Sequence, residues 1–204
     1  MSDLWVIVPA KRAALAKSRL ADVLDERRRA RLVSRLLHHV LATVQLAAPS
    51  AGIAGGIVVS REAQWLALAR RYGFLPLVES AHGLNAAVQQ GVHAAIRRGA
   101  GAVLILPLDL PRLTPSDVVA CARAGRHAPA VVIAPDHANL GTNALLIRPP
   151  ALIRPMFEGA SALRHLQQAA QRGVRARLVR RPGLMHDLDT PADWRNIAHL
   201  FAHL

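Results

Sequence analysis

The sequence predicts an α/β fold, a single three-layer domain over residues 1–204 with a mostly parallel central sheet. Three observations predict it. Short apolar, β-rich runs alternate with segments of helical periodicity, the pattern of strands joined by crossover helices. The 204 residues suit one sizeable core. No internal repeat, low-complexity tract or long linker divides them.

The first strand is read at "LWVIVPA", followed by a lysine-bearing loop and a long helix from about Asp25 to Leu46. In that helix Leu32, Val33, Leu36, Leu37, Val40 and Leu41 recur at helical spacing, while Arg27, Arg28, Arg29, Arg31 and Arg35 fall mainly on the other side, as a solvated face. Residues 49–56, "PSAGIAGG", read as a mobile loop before the strand "GGIVVS". A helix through "REAQWLALARRYG" ends at Gly73 as its cap, "FLPLVES" is a third strand, and "GLNAAVQQGVHAAIRRGAG" is a helix closed by glycine. "AVLILPLDLP" is the most buried-looking strand. Thr114, Pro115 and Asp117 then spell a helix start, and Thr190, Pro191 and Asp193 repeat the same grammar. Between them "AVVIAP" and "TNALLIRP" read as strands, "SALRHLQQAAQRG" as a helix and "RARLVRRP" as a late strand.

Composition narrows the function. Hydrophobic residues make up 52%, yet the apolar runs break well before the roughly 18 residues that span a bilayer, so a soluble chain without a membrane partner is expected. The start "MSDLWVIVPAK" is too short and wrongly ordered for a signal peptide. Cys121 is the one cysteine, read as a buried residue inside a helix, and a reducing cytoplasm is the expected location. The net charge of +13 calls for an anionic partner. Nucleic acid is the runner-up of another class, but 3% aromatics argue against stacking on bases, and no helix-turn-helix, finger or RNA-recognition signature occurs. The histidines show no metal spacing.

In open α/β sheets ligands lie outside the carboxyl ends of the strands, so the loops after "WVIVP", after "VLILPL" and around "HDLD" are the natural site. Asp109 ends the buried strand; Asp187 and Asp189, two apart, point the same way from an extended segment while Leu188 points to the core. Carboxylates facing one cleft suit Mg²⁺, which shares oxygen ligands with substrate phosphates. Each acid also has a structural reading, Asp109 in a turn and Asp187 or Asp189 at the next helix N-terminus. Lys11 and Lys17 are the only lysines among 26 basic residues, and a compact ammonium suits triphosphate oxygens. Neither glycine-rich phosphate-loop pattern is present, so side chains must make the phosphate contacts.

In this order along nearly the whole chain, "VPAKRAALAKSRL", "GLNAAV", "LPLDLPRLT", "LGTNALLI", "FEGASALRHL" and "HDLDTPADW" resemble the guanylyltransferases of factor 420 biosynthesis, which act on 2-phospho-L-lactate, phosphoenolpyruvate or 3-phosphoglycerate. The resemblance implies a Rossmann-like, glycosyltransferase-A-like nucleotidyltransferase domain related to the molybdopterin guanylyltransferases. It implies metal-binding acids at Asp109 and Asp187, with Asp189 a third, and triphosphate-facing lysines at Lys11 and Lys17. Leu84 and Asn85 match the segment near the nucleotide, and Thr142, Gly159 and Ser161 the site of the phosphorylated acid. Members often read Phe-Gly where Glu158 here separates Phe157 from Gly159. The implied reaction moves GMP from GTP to the acid's phosphate and releases pyrophosphate. A molybdopterin guanylyl- or cytidylyltransferase is the alternative enzyme, opposed by the missing glycine-rich first loop. A homodimer is compatible with apolar stretches such as "HLFAHL".

Overall fold

The computed structural model describes residues 3–10 and 18–201. Strand β1 (Leu4–Pro9) leads to a 3-10 turn (Ser18–Leu20), helix α1 (Glu26–Ala51), β2 (Ile53–Ser60), α2 (Ala63–Arg71), β3 (Leu75–Val78) and α3 (Leu84–Ile96). Then come β4 (Ala102–Ile105), α4 (Pro115–Ala124), β5 (Ala130–Pro135), β6 (Thr142–Arg148), α5 (Ser161–Gln171), β7 (Arg177–Leu178), α6 (Pro182–Met185), α7 (Pro191–Ile197) and a 3-10 turn (Ala198–Phe201). The strands form one seven-stranded sheet in the order β3-β2-β1-β4-β6-β5-β7. Strand β1 pairs in parallel with β2 and β4, β2 with β3, and β5 with β7. Strand β6 runs antiparallel to both β4 and β5, because the β5–β6 connection is a short loop with no crossover helix.

Side-chain alternation splits the interior between two faces. Leu4, Val6 and Val8 of β1 join a core with α1, Trp65 and Leu68 of α2, and Val118 and Cys121 of α4. Ile7 joins the opposite core with Ala87, Val88 and Val92 of α3 and Ala162 and Ala169 of α5. This is the expected three-layer α/β arrangement. The predicted stripe of α1 is fully buried from Leu32 to Leu41, while Arg27, Arg28 and Arg31 are exposed and Arg29 and Arg35 half-buried. Gly73, at φ +70°, closes α2 with its own N–H on Arg70 O and that of Phe74 on Ala69 O. Both predicted helix starts form: Asp117 Oδ2 accepts from Thr114 N–H, and Asp193 Oδ2 from Thr190 N–H.

Two expectations fail. Residues 49–56 are not a mobile loop. Helix α1 continues through Pro49 to Ala51, Gly52 at φ +66° caps it, and β2 starts at Ile53. Pro49 sits in the last turn, where its missing N–H removes only one bond of a helix about to end, and buried Ala47 holds that turn to the core. Gly55 and Gly56 are strand residues over which rings lie. A Cβ on Gly55 would stand 2.8 Å from the Trp5 ring, and one on Gly56 2.3 Å from that of Phe74. The late strand also shrinks to Arg177–Leu178, both exposed at the sheet edge, before Arg181 turns back to pair with Asp117 at 2.5 Å.

The Gly56 contact predicts that Gly56→Ala destabilises the fold by about 1–3 kcal/mol, since the Phe74 ring is buried and has nowhere to swing. Urea unfolding of the two proteins checks this.

Candidate active site

Because β6 is antiparallel, its amino end lies at the same sheet edge as the carboxyl ends of β1, β4 and β5. A cleft of about 480 Å³ opens there, lined by Pro9, Leu84, Asp109, Thr142, Gly159, Asp187 and Asp189 among others. Its size suits a small ligand site. All three predicted acids thus reach one cleft.

Each carboxylate is positioned by backbone. Asp109 follows β4 after Pro107, and its carbonyl accepts from Leu188 N–H at 3.0 Å. This bond lays the "HDLD" segment across the end of β4, with Leu188 fully buried and Asp187 and Asp189 half-buried on the cleft side. The extended reading of these residues is therefore realised, although no ladder includes them. Asn143 steadies the same segment, its Nδ2 donating to Leu184 O at 2.9 Å and to Asp187 Oδ1 at 3.4 Å. The N-terminus of α7 is capped by Asp193 with Thr190, and Asp193 also accepts from Asp189 N–H. Burial pushes the Asp187 carboxyl above its ordinary range, and the neighbouring Asp109 and Asp189 charges push it the same way.

The residues matched to the acid site divide in two. Thr142 and Gly159 line the cleft. Gly159 has φ +57°, a left-handed conformation that suits glycine. Ser161 is almost fully buried, and its hydroxyl donates to Thr142 Oγ1 at 3.1 Å. Leu84 lines the cleft, whereas Asn85 lines an adjacent groove with Ser80, His82, Arg154 and Glu158. The Asn85 Oδ1 accepts from Phe157 N–H at 2.7 Å and so ties the start of α3 to the segment before Gly159.

Lys11 and Lys17 lie outside the described residues. Pro9 and Arg19, on either side of them in sequence, both line the cleft. Arg19 is a cleft cation that the sequence reading did not single out; it directly precedes buried Leu20 in the 3-10 turn after the lysine loop. Asp136 also lines the cleft, but its oxygens accept from Leu140 and Gly141 N–H and so hold the β5–β6 loop.

A mixed α/β sheet with acids gathered at its carboxyl edge is an arrangement found in solved nucleotidyltransferases. The fold is shared with a nucleotidyl transferase from Methanothermobacter thermautotroptrophicus, 20% identical with a TM-score of 0.68 over 98% of this chain and 97% of that one. It is shared too with the 4-diphosphocytidyl-2C-methyl-D-erythritol synthase of Anaerococcus prevotii, 11% identical with a TM-score of 0.67 over 98% and 96%. The chain belongs to the family described as "Guanylyl transferase CofC like", whose model matches residues 4–202. Among its relatives, the phosphoenolpyruvate guanylyltransferase of Rubrobacter xylanophilus is 42% identical, covering 94% of this chain and 91% of that one. The one from Sphaerobacter thermophilus is 39% identical, covering 94% and 91%.

The raised pKa of Asp187 carries a stability prediction. Below the ordinary carboxyl value of 3.8 the group is protonated folded or unfolded and costs nothing. As pH rises above that value the unfolded chain ionises first, so the fold loses stability until Asp187 ionises too. Asp187→Asn is expected to raise Tm at neutral pH, by the equivalent of ~1 kcal/mol or less, with the gain vanishing near about pH 3. Thermal melts of both proteins across pH check it.

Proposed function

We propose that this enzyme transfers GMP from GTP to the phosphate of phosphoenolpyruvate and releases pyrophosphate, a step in assembly of the deazaflavin coenzyme factor 420. The observation that carries the reading is the meeting of Asp109, Asp187, Asp189 and Thr142 in one cleft of a chain of this family. The names of its relatives favour phosphoenolpyruvate over 2-phospho-L-lactate and 3-phosphoglycerate.

Chemically, an oxygen of the acid's phosphate attacks the α-phosphorus of GTP, one P–O bond forms, and the bond to the β-phosphate oxygen breaks. That phosphate is ionised at neutral pH, so no general base is needed and the protein's work is positioning and charge neutralisation. Asp109 and Asp187, with Asp189, supply an all-oxygen donor set whose mutual repulsion a cation relieves. Among the described residues no cluster of three or more His, Cys, Asp or Glu side chains is arranged to cage a metal ion. An open, carboxylate-only site fits Mg²⁺, which keeps positions for substrate phosphates. Mg²⁺ held there supplies charge neutralisation at the phosphates undergoing transfer. Lys11, Lys17 and Arg19 oppose the charge that grows on the leaving pyrophosphate. Leu84 packs beside the nucleotide with Asn85 behind it, while Thr142 and Gly159, backed by Ser161, hold the acid. A GTP-consuming reaction supports a cytoplasmic location, and among the described residues no helix is long and apolar enough to cross a membrane.

Incubated with GTP and Mg²⁺, the protein is expected to release pyrophosphate with phosphoenolpyruvate in preference to the other two acids, read by product mass spectrometry in direct competition. Folded protein that releases none with any acid refutes the proposal. Asp109→Asn is expected to lower kcat about 100-fold or more, and Lys11→Ala or Lys17→Ala to lower turnover and raise the KM for GTP. Steady-state kinetics with a folded-state check by circular dichroism measures these effects.

A further inference from the structure

Behind Thr142, beside Ser161, lies a buried histidine that the reaction above leaves unused. His165 of α5 is fully buried, and its Nε2 accepts from Met156 N–H at 3.0 Å. The other ring nitrogen, Nδ1, stands 3.0 Å from Thr142 Oγ1. A neutral imidazole that accepts at Nε2 carries its proton on Nδ1, so His165 donates to Thr142. Burial pushes the His165 pKa down to about 4, which keeps the ring neutral at working pH. Ser161 donates to the same Thr142 oxygen at 3.1 Å. With both lone pairs engaged, the threonine hydroxyl has only its proton left to give. Among the described residues that proton has no acceptor, and Thr142 lines the cleft.

We propose that His165 is a positioning residue which, together with Ser161, locks Thr142 as an obligate hydrogen-bond donor into the cleft, so that the subsite selects an anionic oxygen of the phosphorylated acid and rejects a donor there. The inference rests on Thr142 belonging to the acid subsite. The ring is itself held in place by the Met156 amide on one side and by Phe157, edge-on with centroids 5.6 Å apart, on another. Since Phe157 also borders the cleft, one histidine fixes both the donor and part of the wall beside it.

Two measurements test this. Long-range ¹H–¹⁵N NMR of the wild-type chain is expected to show His165 as the Nδ1–H tautomer; an Nε2–H tautomer or an imidazolium at neutral pH overturns the proposal whatever the variants do. In kinetics, Thr142→Val and His165→Leu are each expected to raise the KM for phosphoenolpyruvate about 10-fold while the KM for GTP stays within about twofold. His165→Asn, which keeps a donor at the Nδ1 position, is expected to recover most of that loss. In the double variant the two effects are expected to coincide near 10-fold; an additive loss of about 100-fold means that His165 does not act through Thr142 and overturns the proposal. An equal rise in the KM for GTP, or no recovery with His165→Asn, does the same. A wild-type chain that turns over no GTP refutes the proposed reaction instead. The tautomer and the calorimetric affinities of these proteins for phosphoenolpyruvate then decide the positioning role.

Discussion

One backbone hydrogen bond, Leu188 N–H to Asp109 O, brings the acids of the cleft together. It joins the loop that ends the first half of the sheet to a segment that arrives only after β7. Without it, Asp109 and Asp187 would belong to unrelated loops. The bond is protected because Leu188 is fully buried beneath it, and because Asn143 and His137 bind carbonyls on the amino side of the same segment, Leu184 O and Met185 O. On the other side, the Thr190–Asp193 cap fixes where α7 begins and so how far the acids project. Carboxylates placed by backbone bonds lose little entropy when a ligand arrives, which is the condition for catalysis by charge and position.

The placement carries an electrostatic cost, because it gathers Asp109, Asp187 and Asp189 in one cleft. With a net charge of +13, basic residues are plentiful. Yet several are committed elsewhere: Arg148 to Asp3, Arg181 to Asp117, Arg61 to Glu79. These pairs hold the fold together across distant segments, and two of them, Asp3 with Arg148 and Asp117 with Arg181, are short and tight. In the cleft, burial raises the Asp187 carboxyl, and the neighbouring Asp109 and Asp189 charges raise it further. In the proposed reaction, like charges gathered in the cleft favour a cation, which removes the repulsion and attracts a polyphosphate.

Much of this was legible in the sequence because the governing patterns are local. Alternation, helical stripes and the two Thr-Pro-x-Asp starts gave the layers and most element positions. The "HDLD" spacing also put both acids on one side once Leu188 was assigned to the core. What escaped depends on contacts between distant residues. The loop read at residues 49–56 ran into the strand read from Gly55, because nothing nearby in sequence reveals the rings of Trp5 and Phe74 lying on Gly55 and Gly56. The segment from Pro49 read as loop because a helix-ending turn and a loop look alike without Ala47's burial. At the site, the described hydrogen bonds of Asn85 and Ser161 go to Phe157 and Thr142, contacts between distant segments that spacing does not encode.

The antiparallel insertion of β6 gives the remaining piece its logic. A parallel strand between β4 and β5 would bring its carboxyl end, and therefore a loop, to the cleft. Running the other way, β6 brings its first residue, so Thr142 reaches the cleft while already in register opposite Pro135. A β-branched side chain on a strand has few rotamers to choose from, and this one is bracketed by Ser161 and His165 from the start and middle of α5. The hydroxyl's position is thus set by the sheet and its proton's direction by the helix. A loop residue would leave both to be fixed by the ligand, and the difference between the two arrangements is the ordering entropy that binding must otherwise overcome.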